Sequence, residues 1–229
     1  ESESSTSWLL DKDRIAKRAR ELFDRNKAVV QGAPTPSSCT VSFQVVDERG
    51  NATSFVNSNY MGFGTGLTPR GCGFTLQNRG AGFSLDGSHP NALAPNKRPY
   101  HTIIPCVVTH SDTNELHSTL TNMGGFMQPQ GHLQLVVNML ALGMDPQTAV
   151  DSPRFCILDG TRDGTVFVET GFLPGTIEAL GGMGHRMRSD VSGNEREVFE
   201  RAQVIIRDRE TGVLCAGSDG RADGCALGY

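Results

Sequence analysis

The sequence predicts an α+β or layered α/β fold, in which helices cover a β-sheet. Strand-like segments occur near both ends of the chain, at 40–58 and 202–218, and helical segments lie between them. The chain has 229 residues, which is enough for one sizeable core. Its 27 glycines and 37% hydrophobic content favour a loop-rich domain over a helical bundle.

The first elements are a helix, a linker and a hairpin. Apolar residues at helical spacing predict a helix over 11–27, and two prolines with no periodicity predict a linker over 28–39. Alternating apolar residues predict strands over 40–47 and 52–58, joined by a turn at 47–51.

The middle of the chain begins with loops. Residues 59–102 are rich in Gly, Pro and Asn, which predicts long loops of the kind that carry active-site residues. Strands are predicted over 103–109 and 116–122, and a helix over 128–143. The apolar residues predicted to share one face of that helix are Leu133, Val136, Val137 and Leu140.

The remaining elements alternate in type. Short helices are predicted over 145–150 and 174–181, with a strand over 166–169 between them. A final hairpin is predicted from strands over 202–207 and 214–218.

Thr40 stands between the predicted linker and the first predicted strand. Cleavage of the Cys39–Thr40 bond would give Thr40 a free α-amine beside its own hydroxyl, so that one residue supplies both nucleophile and base. A threonine that only opens a strand is the alternative interpretation.

Composition excludes several classes of function. The net charge is −4 and no basic stripe is present, so no nucleic-acid partner is expected. No apolar run approaches the ~18 residues that a membrane span needs, so no membrane partner is expected either. The six cysteines form no CxxC pair, which favours reduced thiols and a reducing, cytoplasmic compartment.

Metal and cofactor chemistry is not expected. The sequence has no HExxH motif and no Cys/His cluster. It also lacks the GxSxG elbow that carries a nucleophilic serine. Its histidines are interpreted as surface or core residues, and no cofactor is predicted.

Several motifs in order resemble the gamma-glutamyltranspeptidase family, whose cleavage site typically reads Thr-Thr-His-(aromatic)-Ser-Val-Val-Asp. Aligning on Val45-Val46-Asp47 puts Thr40 under the family's nucleophile. The other matching segments are Phe63–Gly66, Pro90–Pro99, Met123–Gly125, Ala149–Phe155 and Gly217–Tyr229.

The resemblance implies the four-layer αββα sandwich of N-terminal-nucleophile hydrolases. It also implies that residues 1–39 are the tail of a large subunit with the processing linker, and that 40–229 form the small, catalytic subunit. The implied partners are the large subunit of the same precursor, as a heterodimer or dimer of heterodimers, and a small-molecule amide.

Site residues follow from the same resemblance. Gly124 and Gly125 match the glycine pair whose N–H groups form the family's oxyanion hole, and Ser58 matches a threonine that bonds the nucleophile. Without the resemblance, the glycines would be interpreted as a strand-to-helix turn, and Ser58 as an ordinary polar strand residue.

The substrate pocket departs from the family pattern. Tyr60 replaces an asparagine, Arg79 stands where the family has Gln or Glu, and Gly82 replaces the acid that would hold a glutamyl ammonium. His101 and Thr102 replace a serine pair. A cation in place of an acid disfavours an ammonium group, so the pocket is predicted to suit an anionic or neutral acyl group. This pattern is similar to cephalosporin-acylase-like and glutathione-hydrolase-like members.

Two classes of function remain open. The first is a self-cleaving amide hydrolase or acyltransferase acting through an acyl-Thr40 ester on γ-glutamyl amides such as glutathione, or on glutaryl-like amides. The second is an unprocessed, inactive homologue that serves as a structural or binding subunit.

Overall fold

The computed structural model describes residues 11–22, 40–157 and 164–229. The chain divides into two units, Glu1–Pro36 and Ser37–Tyr229. This division falls close to the predicted boundary between the tail and the small subunit, whose assignment to two subunits stays a prediction.

In the first unit, helix α1 spans Lys12–Leu22. The Asp11 carboxylate accepts a 2.7 Å hydrogen bond from the backbone N–H of Arg14, which satisfies a donor that the helix itself leaves unpaired. The predicted helix is confirmed as far as Leu22, and the remainder of it lies outside the described residues. The predicted linker over 28–39 also lies outside them.

The second unit opens with an antiparallel hairpin. Strand β1, Thr40–Val46, pairs with β2, Ala52–Ser58. The Asp47 carboxylate accepts hydrogen bonds from the backbone N–H groups of Arg49 and Asn51 and from the Asn51 side chain, which closes the turn. The predicted hairpin is confirmed.

A four-stranded antiparallel sheet has the order β3–β4–β8–β9. Its strands are β3, Cys106–Thr109; β4, Leu116–Asn122; β8, Ala202–Arg207; and β9, Leu214–Ser218. The β1–β2 hairpin packs against this sheet, and helices pack on the opposite face. Within the described residues, hairpin, sheet and helices thus supply three of the four predicted layers.

The two faces of β4 differ in character because successive side chains point to opposite sides of a sheet. Thr119 and Thr121 face the hairpin and hydrogen-bond to Gln44 and Ser42. Leu120 is fully buried on the other face, in the core described next.

The main core lies between the sheet and the helices. Its buried members are Leu120, Leu135, Met139, Ala149, Val150, Ala202 and Val204. Helix α2 spans Met127–Val136 and continues as a π-helical turn, Val137–Ala141.

Only part of the predicted apolar face of the 128–143 helix contributes to this core. Val136 packs against the core as predicted. Leu133, Val137 and Leu140 are 60%, 42% and 50% exposed, and the helix buries Leu135 and Met139 in their place. The cause is close packing: the short Gly131 faces Asn122 of β4, and a Cβ there would overlap the Asn122 side chain.

Helix α3, Pro146–Asp151, packs on the sheet at β9. The Asp145 carboxylate caps it by accepting from the backbone N–H groups of Gln147 and Thr148. A side chain at Gly217 would lie 2.6 Å from the Pro146 carbonyl, so only glycine permits this contact.

A smaller mixed sheet has the order β5–β6–β7. Its strands are β5, Phe155–Ile157; β6, Val166–Glu169; and β7, Met187–Val191. Helix α4 spans Pro174–Gly182. The sequence predicted β6 and α4 but missed β5 and β7, because β5 is three residues long and β7 carries two charged side chains.

The sequence also placed the start of β3 too early, at residue 103. Pro105 has no N–H to donate to a ladder, and the N–H of Ile104 donates instead to the Gln128 side chain at 2.8 Å. Pairing therefore begins at Cys106.

Candidate active site

Thr40 is the first residue of β1 and is buried, with 6% of its surface exposed. It is the register partner of Ser58, the last residue of β2. Ser58 Oγ accepts a 3.0 Å hydrogen bond from the Tyr60 N–H. That bond uses the acceptor side of the hydroxyl and leaves its proton without an acceptor among the described residues, beside the register partner Thr40.

Arg79 brings a positive charge to this pair. Its guanidinium donates to the Ser58 carbonyl oxygen at 3.3 Å and to Thr102 Oγ1 at 2.7 Å. It also lies over the Tyr60 ring, 5.7 Å from the centroid, a cation–π arrangement. Partial burial lowers the pKa of Arg79, with the Tyr60 phenol opposing that change. Four of the predicted site residues, Ser58, Tyr60, Arg79 and Thr102, therefore form one cluster next to Thr40.

The backbone of Tyr60 is held in a left-handed conformation, with φ at +78°. This region is unfavourable for a bulky side chain. The hydrogen bond to Ser58 and the contact with Arg79 hold the residue there, so the turn after β2 is tied to the cation beside Thr40.

The register between the two β layers brings the Thr40 end of β1 to the Gly124 end of β4. Along β1, Gln44 bonds to Thr119 and Thr121, and Ser42 bonds to Thr121. Moving from Gln44 towards Thr40 therefore follows β4 towards its last residues, and both ends lie at the same edge of the molecule.

Gly124 and Gly125 form the turn between β4 and α2, with φ values of +111° and +53°. Their carbonyl oxygens accept from the N–H groups of Met127 and Gln128, in the first turn of α2. Among the described residues, neither glycine N–H donates a hydrogen bond to another protein group. Two adjacent backbone donors at one turn have the arrangement that an oxyanion hole requires.

The buried residue Asn122 lies directly before this turn and is held by hydrogen bonds to three other residues. Its N–H donates to His132 Nε2 at 3.0 Å, its Oδ1 accepts from Arg154 Nη1 at 2.9 Å, and its Nδ2 donates to the Met123 carbonyl. Burial lowers the pKa of His132 to about 4, which keeps Nε2 unprotonated as an acceptor. The backbone N–H, Oδ1 and Nδ2 of Asn122 are therefore all paired directly before the glycines.

Arg154 is held in turn by a buried ion pair. Its guanidinium lies 2.7 Å from Asp219, and the two side chains are 2% and 0% exposed. Arg221 contacts both Asp219 and Glu169. Arg154, Asp219 and Arg221 lie within segments that match the family, but the sequence predicted no role for them or for Asn122. Pairing between distant segments leaves no local pattern in a sequence.

Among the described residues, the predicted site residue His101 does not join the cluster. His101 is exposed, although its neighbour Thr102 is buried against Arg79. Cys39, the residue before the predicted cleavage point, lies outside the described residues. The roles assigned to all these residues stay predictions.

Three further observations concern the described residues. A surface depression lined by the turn after β1 lies at the Val46 end of that strand, the end opposite Thr40. No group of three or more metal-binding side chains occurs in the described ranges. No helix there has the length and apolar character needed to cross a bilayer.

A model of the family described as gamma-glutamyltranspeptidase matches residues 1–229. The chain belongs to the gamma-glutamyltranspeptidase family. The predicted family, stated from motifs alone, is confirmed.

Two curated relatives resemble the chain over most of its length. The glutathione hydrolase-like YwrD proenzyme of Bacillus subtilis is 37% identical over 225 residues. The oxamate amidohydrolase proenzyme of Klebsiella pneumoniae is 33% identical over 223 residues. Each alignment covers 96% of this chain and 41% of the relative. The chain thus spans about two fifths of the length of these relatives.

A solved structure supports the same grouping. Cephalosporin acylase from Bacillus halodurans is 39% identical and superposes with a TM-score of 0.74, over 99% of this chain and 40% of that chain. The α+β fold of N-terminal-nucleophile hydrolases is thereby confirmed. The similarity also agrees with the predicted acylase-like and glutathione-hydrolase-like subgroup.

Proposed function

We propose that this chain is the catalytic part of an autoprocessing amide hydrolase, which acts through an acyl-Thr40 ester on amides of dicarboxylic acids. The observation that carries the proposal is the Arg79 guanidinium, hydrogen-bonded to the carbonyl of the residue paired with Thr40. A cation in that position provides a partner for the distal carboxylate of an acyl group whose carbonyl is attacked by Thr40.

The chemistry needs few groups. After cleavage before Thr40, its α-amine takes the proton from its own hydroxyl, and Oγ attacks the amide carbonyl. The N–H groups of Gly124 and Gly125 donate to the oxyanion that forms, a contribution of ~3–4 kcal/mol each. The proton then passes to the leaving amine, the C–N bond breaks, and water or an acceptor amine releases the acyl group from the ester.

The names of the relatives support this reading. Two are called proenzymes, which agrees with cleavage before Thr40. Oxamate carries a carboxylate directly beside its amide, and it is the substrate in the name of the Klebsiella relative. An anionic acyl group is what Arg79 would bind, and the same cation would repel the ammonium of a γ-glutamyl group.

Processing is tested by intact-mass measurement of the full-length protein. The wild type should give two fragments, one beginning with Thr40. Thr40→Ala should remain a single chain without turnover, and Thr40→Ser should keep part of both activities. A single uncleaved wild-type chain would favour the second hypothesis, an inactive homologue with a structural or binding role.

The substrate class is tested with two anilides that differ in a single group. The glutaryl and γ-glutamyl acyl groups have the same carbon chain and carboxylate, and only the second carries an ammonium. We expect kcat/KM to be at least tenfold higher for the glutaryl anilide. Arg79→Gln should remove most of this difference in kcat/KM. The control variant Arg186→Gln changes an exposed arginine elsewhere in the chain and should preserve the difference. A strong preference of the wild type for γ-glutamyl substrates such as glutathione would refute the role of Arg79.

The proposal also includes a partner, the large-subunit part of the same precursor. The outer face of the β1–β2 hairpin exposes Val41, Phe43, Val45 and Phe55 by 46–59% each. The Phe43 and Phe55 rings stack across the strands at 4.8 Å. A contiguous apolar face of this kind marks an interaction surface. A helical layer supplied by the rest of the precursor would complete the four-layer sandwich.

This surface is tested by co-purification of the two fragments. Phe55→Asp should release the small fragment from the large one. Leu173→Asp, at an apolar residue that is 73% exposed directly before α4, should leave the pair intact. Equal co-purification of both variants would contradict the proposed contact.

A further inference from the structure

Glu200 lies directly opposite the first glycine of the β4–α2 turn. Asn122 pairs with Ala202, and the Met123 N–H donates to the Arg201 carbonyl at 2.9 Å. Continuing this antiparallel register puts Glu200 across from Gly124. The Glu200 side chain fills the space beside the Gly124 Cα, because a Cβ at position 124 would overlap Glu200 Cγ and Cδ.

The Glu200 backbone adopts a conformation that is nearly restricted to glycine, with φ at +57° and ψ at −162°. A residue other than glycine keeps this backbone conformation only where the surrounding packing holds it there. Such residues concentrate at functional sites. The Glu200 carbonyl accepts from Arg154 at 3.2 Å and its N–H donates to the Glu197 carbonyl, which holds the conformation from both sides.

The carboxyl group itself has little to stabilise a charge. Glu200 is 7% exposed, and its Oε2 is buried without a hydrogen-bond partner among the described residues. The nearest cation, Arg201 Nη1, lies 3.7 Å away. Arg154 Nη1 donates to the backbone carbonyl of Glu200 and not to its carboxyl group.

The other titratable neighbours do not favour a charge on Glu200 either. Burial raises the pKa of Glu200 to about 7, Arg201 lowers it in part, and Glu197 raises it further. The buried Cys156 thiol faces the same carboxyl group, and its pKa is raised to about 12 by burial and then by Glu200.

We propose that Glu200 is a positioning residue for the Gly124–Gly125 turn, and that it works with its carboxyl group uncharged. This inference rests on the proposed function, in which these glycines bind the oxyanion. The side chain supports the turn that points both N–H groups at the substrate. A negative charge at the same place would oppose the negative charge that develops on the substrate oxygen.

The test is the pH dependence of kcat in three variants of the full-length protein. Wild-type kcat should fall at least fivefold relative to Glu200→Gln as pH rises from 6 to 9, because the glutamine keeps the shape without ionising. Glu200→Ala should lose kcat at least tenfold at every pH with KM nearly unchanged. Glu195→Gln, at an exposed carboxylate of the same segment, should follow the wild type.

Two results would overturn the inference while leaving the proposed function intact. One is a Glu200→Gln profile that parallels the wild type in an enzyme that forms the acyl-Thr40 ester. The other is an alanine variant with wild-type kcat.

If no acyl ester forms in the wild type at any pH, the proposed function itself fails. The uncharged state of Glu200 is then judged by melting temperature between pH 5 and 8. A wild type that loses stability relative to Glu200→Gln over this range supports that state, and parallel curves overturn it.

Discussion

The Thr121 hydroxyl donates a 2.7 Å hydrogen bond to Ser42 Oγ, and this contact links the strand that begins with Thr40 to the strand that ends before Gly124. Both residues lie two or three positions from the groups proposed to react. A polar contact between two sheets specifies one register, since sliding either strand by one residue would turn these hydroxyls away from each other.

Breaking this contact should weaken both stability and turnover. Ser42→Ala leaves the Thr121 hydroxyl, which is 1% exposed, short of its acceptor, so unfolding free energy should fall by about 1–3 kcal/mol. Thr121→Val removes this contact and also the acceptor of Gln44 Nε2, so the double variant should lose less than the sum of the two single variants, because the Ser42–Thr121 contact is then counted once. Urea unfolding of the four proteins in this cycle measures the coupling. Independent, additive losses would show that the hydroxyls do not interact.

The two glycines of the turn should respond differently to alanine. At Gly124 a Cβ overlaps the Glu200 side chain, whereas at Gly125 it meets no atom within 4 Å. Gly125→Ala should therefore cost only the backbone penalty of about 1–2 kcal/mol, and Gly124→Ala considerably more. Combining Gly124→Ala with Glu200→Gly should restore part of the stability, as measured by thermal unfolding. Equal destabilisation by the two alanines would contradict the packing described here.

Acid should destabilise the protein through His132. Burial lowers its pKa to about 4, so the neutral ring is favoured in the folded state. Its stabilising contribution is complete above the unfolded pKa of about 6.5, and it is lost as pH falls towards 4. Between pH 7 and pH 5 this predicts a loss of about 2 kcal/mol.

The measurement for His132 is unfolding free energy at several pH values. His132→Gln should remove the loss, whereas His185→Gln, at an exposed position, should keep the wild-type pH dependence. Comparing each variant with the wild type at the same pH cancels the opposite contribution of Glu200, whose raised pKa reduces stability as pH rises towards 7. A His132→Gln curve parallel to the wild type would contradict the proposed acceptor role of Nε2.

The buried ion pair between Arg154 and Asp219 should be far more sensitive than a surface pair. Asp219→Ala leaves the buried guanidinium without its counter-charge, which predicts a loss of about 3–5 kcal/mol. Asp112→Ala removes the exposed partner of Arg209 and should leave the free energy of unfolding nearly unchanged. Chemical denaturation measures both. Similar losses would mean that Arg154 finds another anion.

Local patterns were sufficient for most elements and for the choice of Thr40 as the proposed nucleophile. Alternating residues and an Asp–Asn turn specify the β1–β2 hairpin, and the motif around Val45-Val46-Asp47 selected Thr40. Patterns failed where a segment was too short or too polar to carry a period, as in β5 and β7. They also failed for the helix after Gly125, where apolar side chains point outward and Gly131 and His132 face the sheet.

The sequence by itself determined the family, the order of the elements and the residue types available for chemistry, because these depend on neighbouring residues along the chain. Only the tertiary structure decided which of them meet. Arg79 reaches Ser58 across a loop, Asn122 is held by Arg154 from a distant segment, and Glu200 fills the space beside Gly124. Such contacts are decided by strand register and close packing, and these depend on the whole fold rather than on any local run of residues.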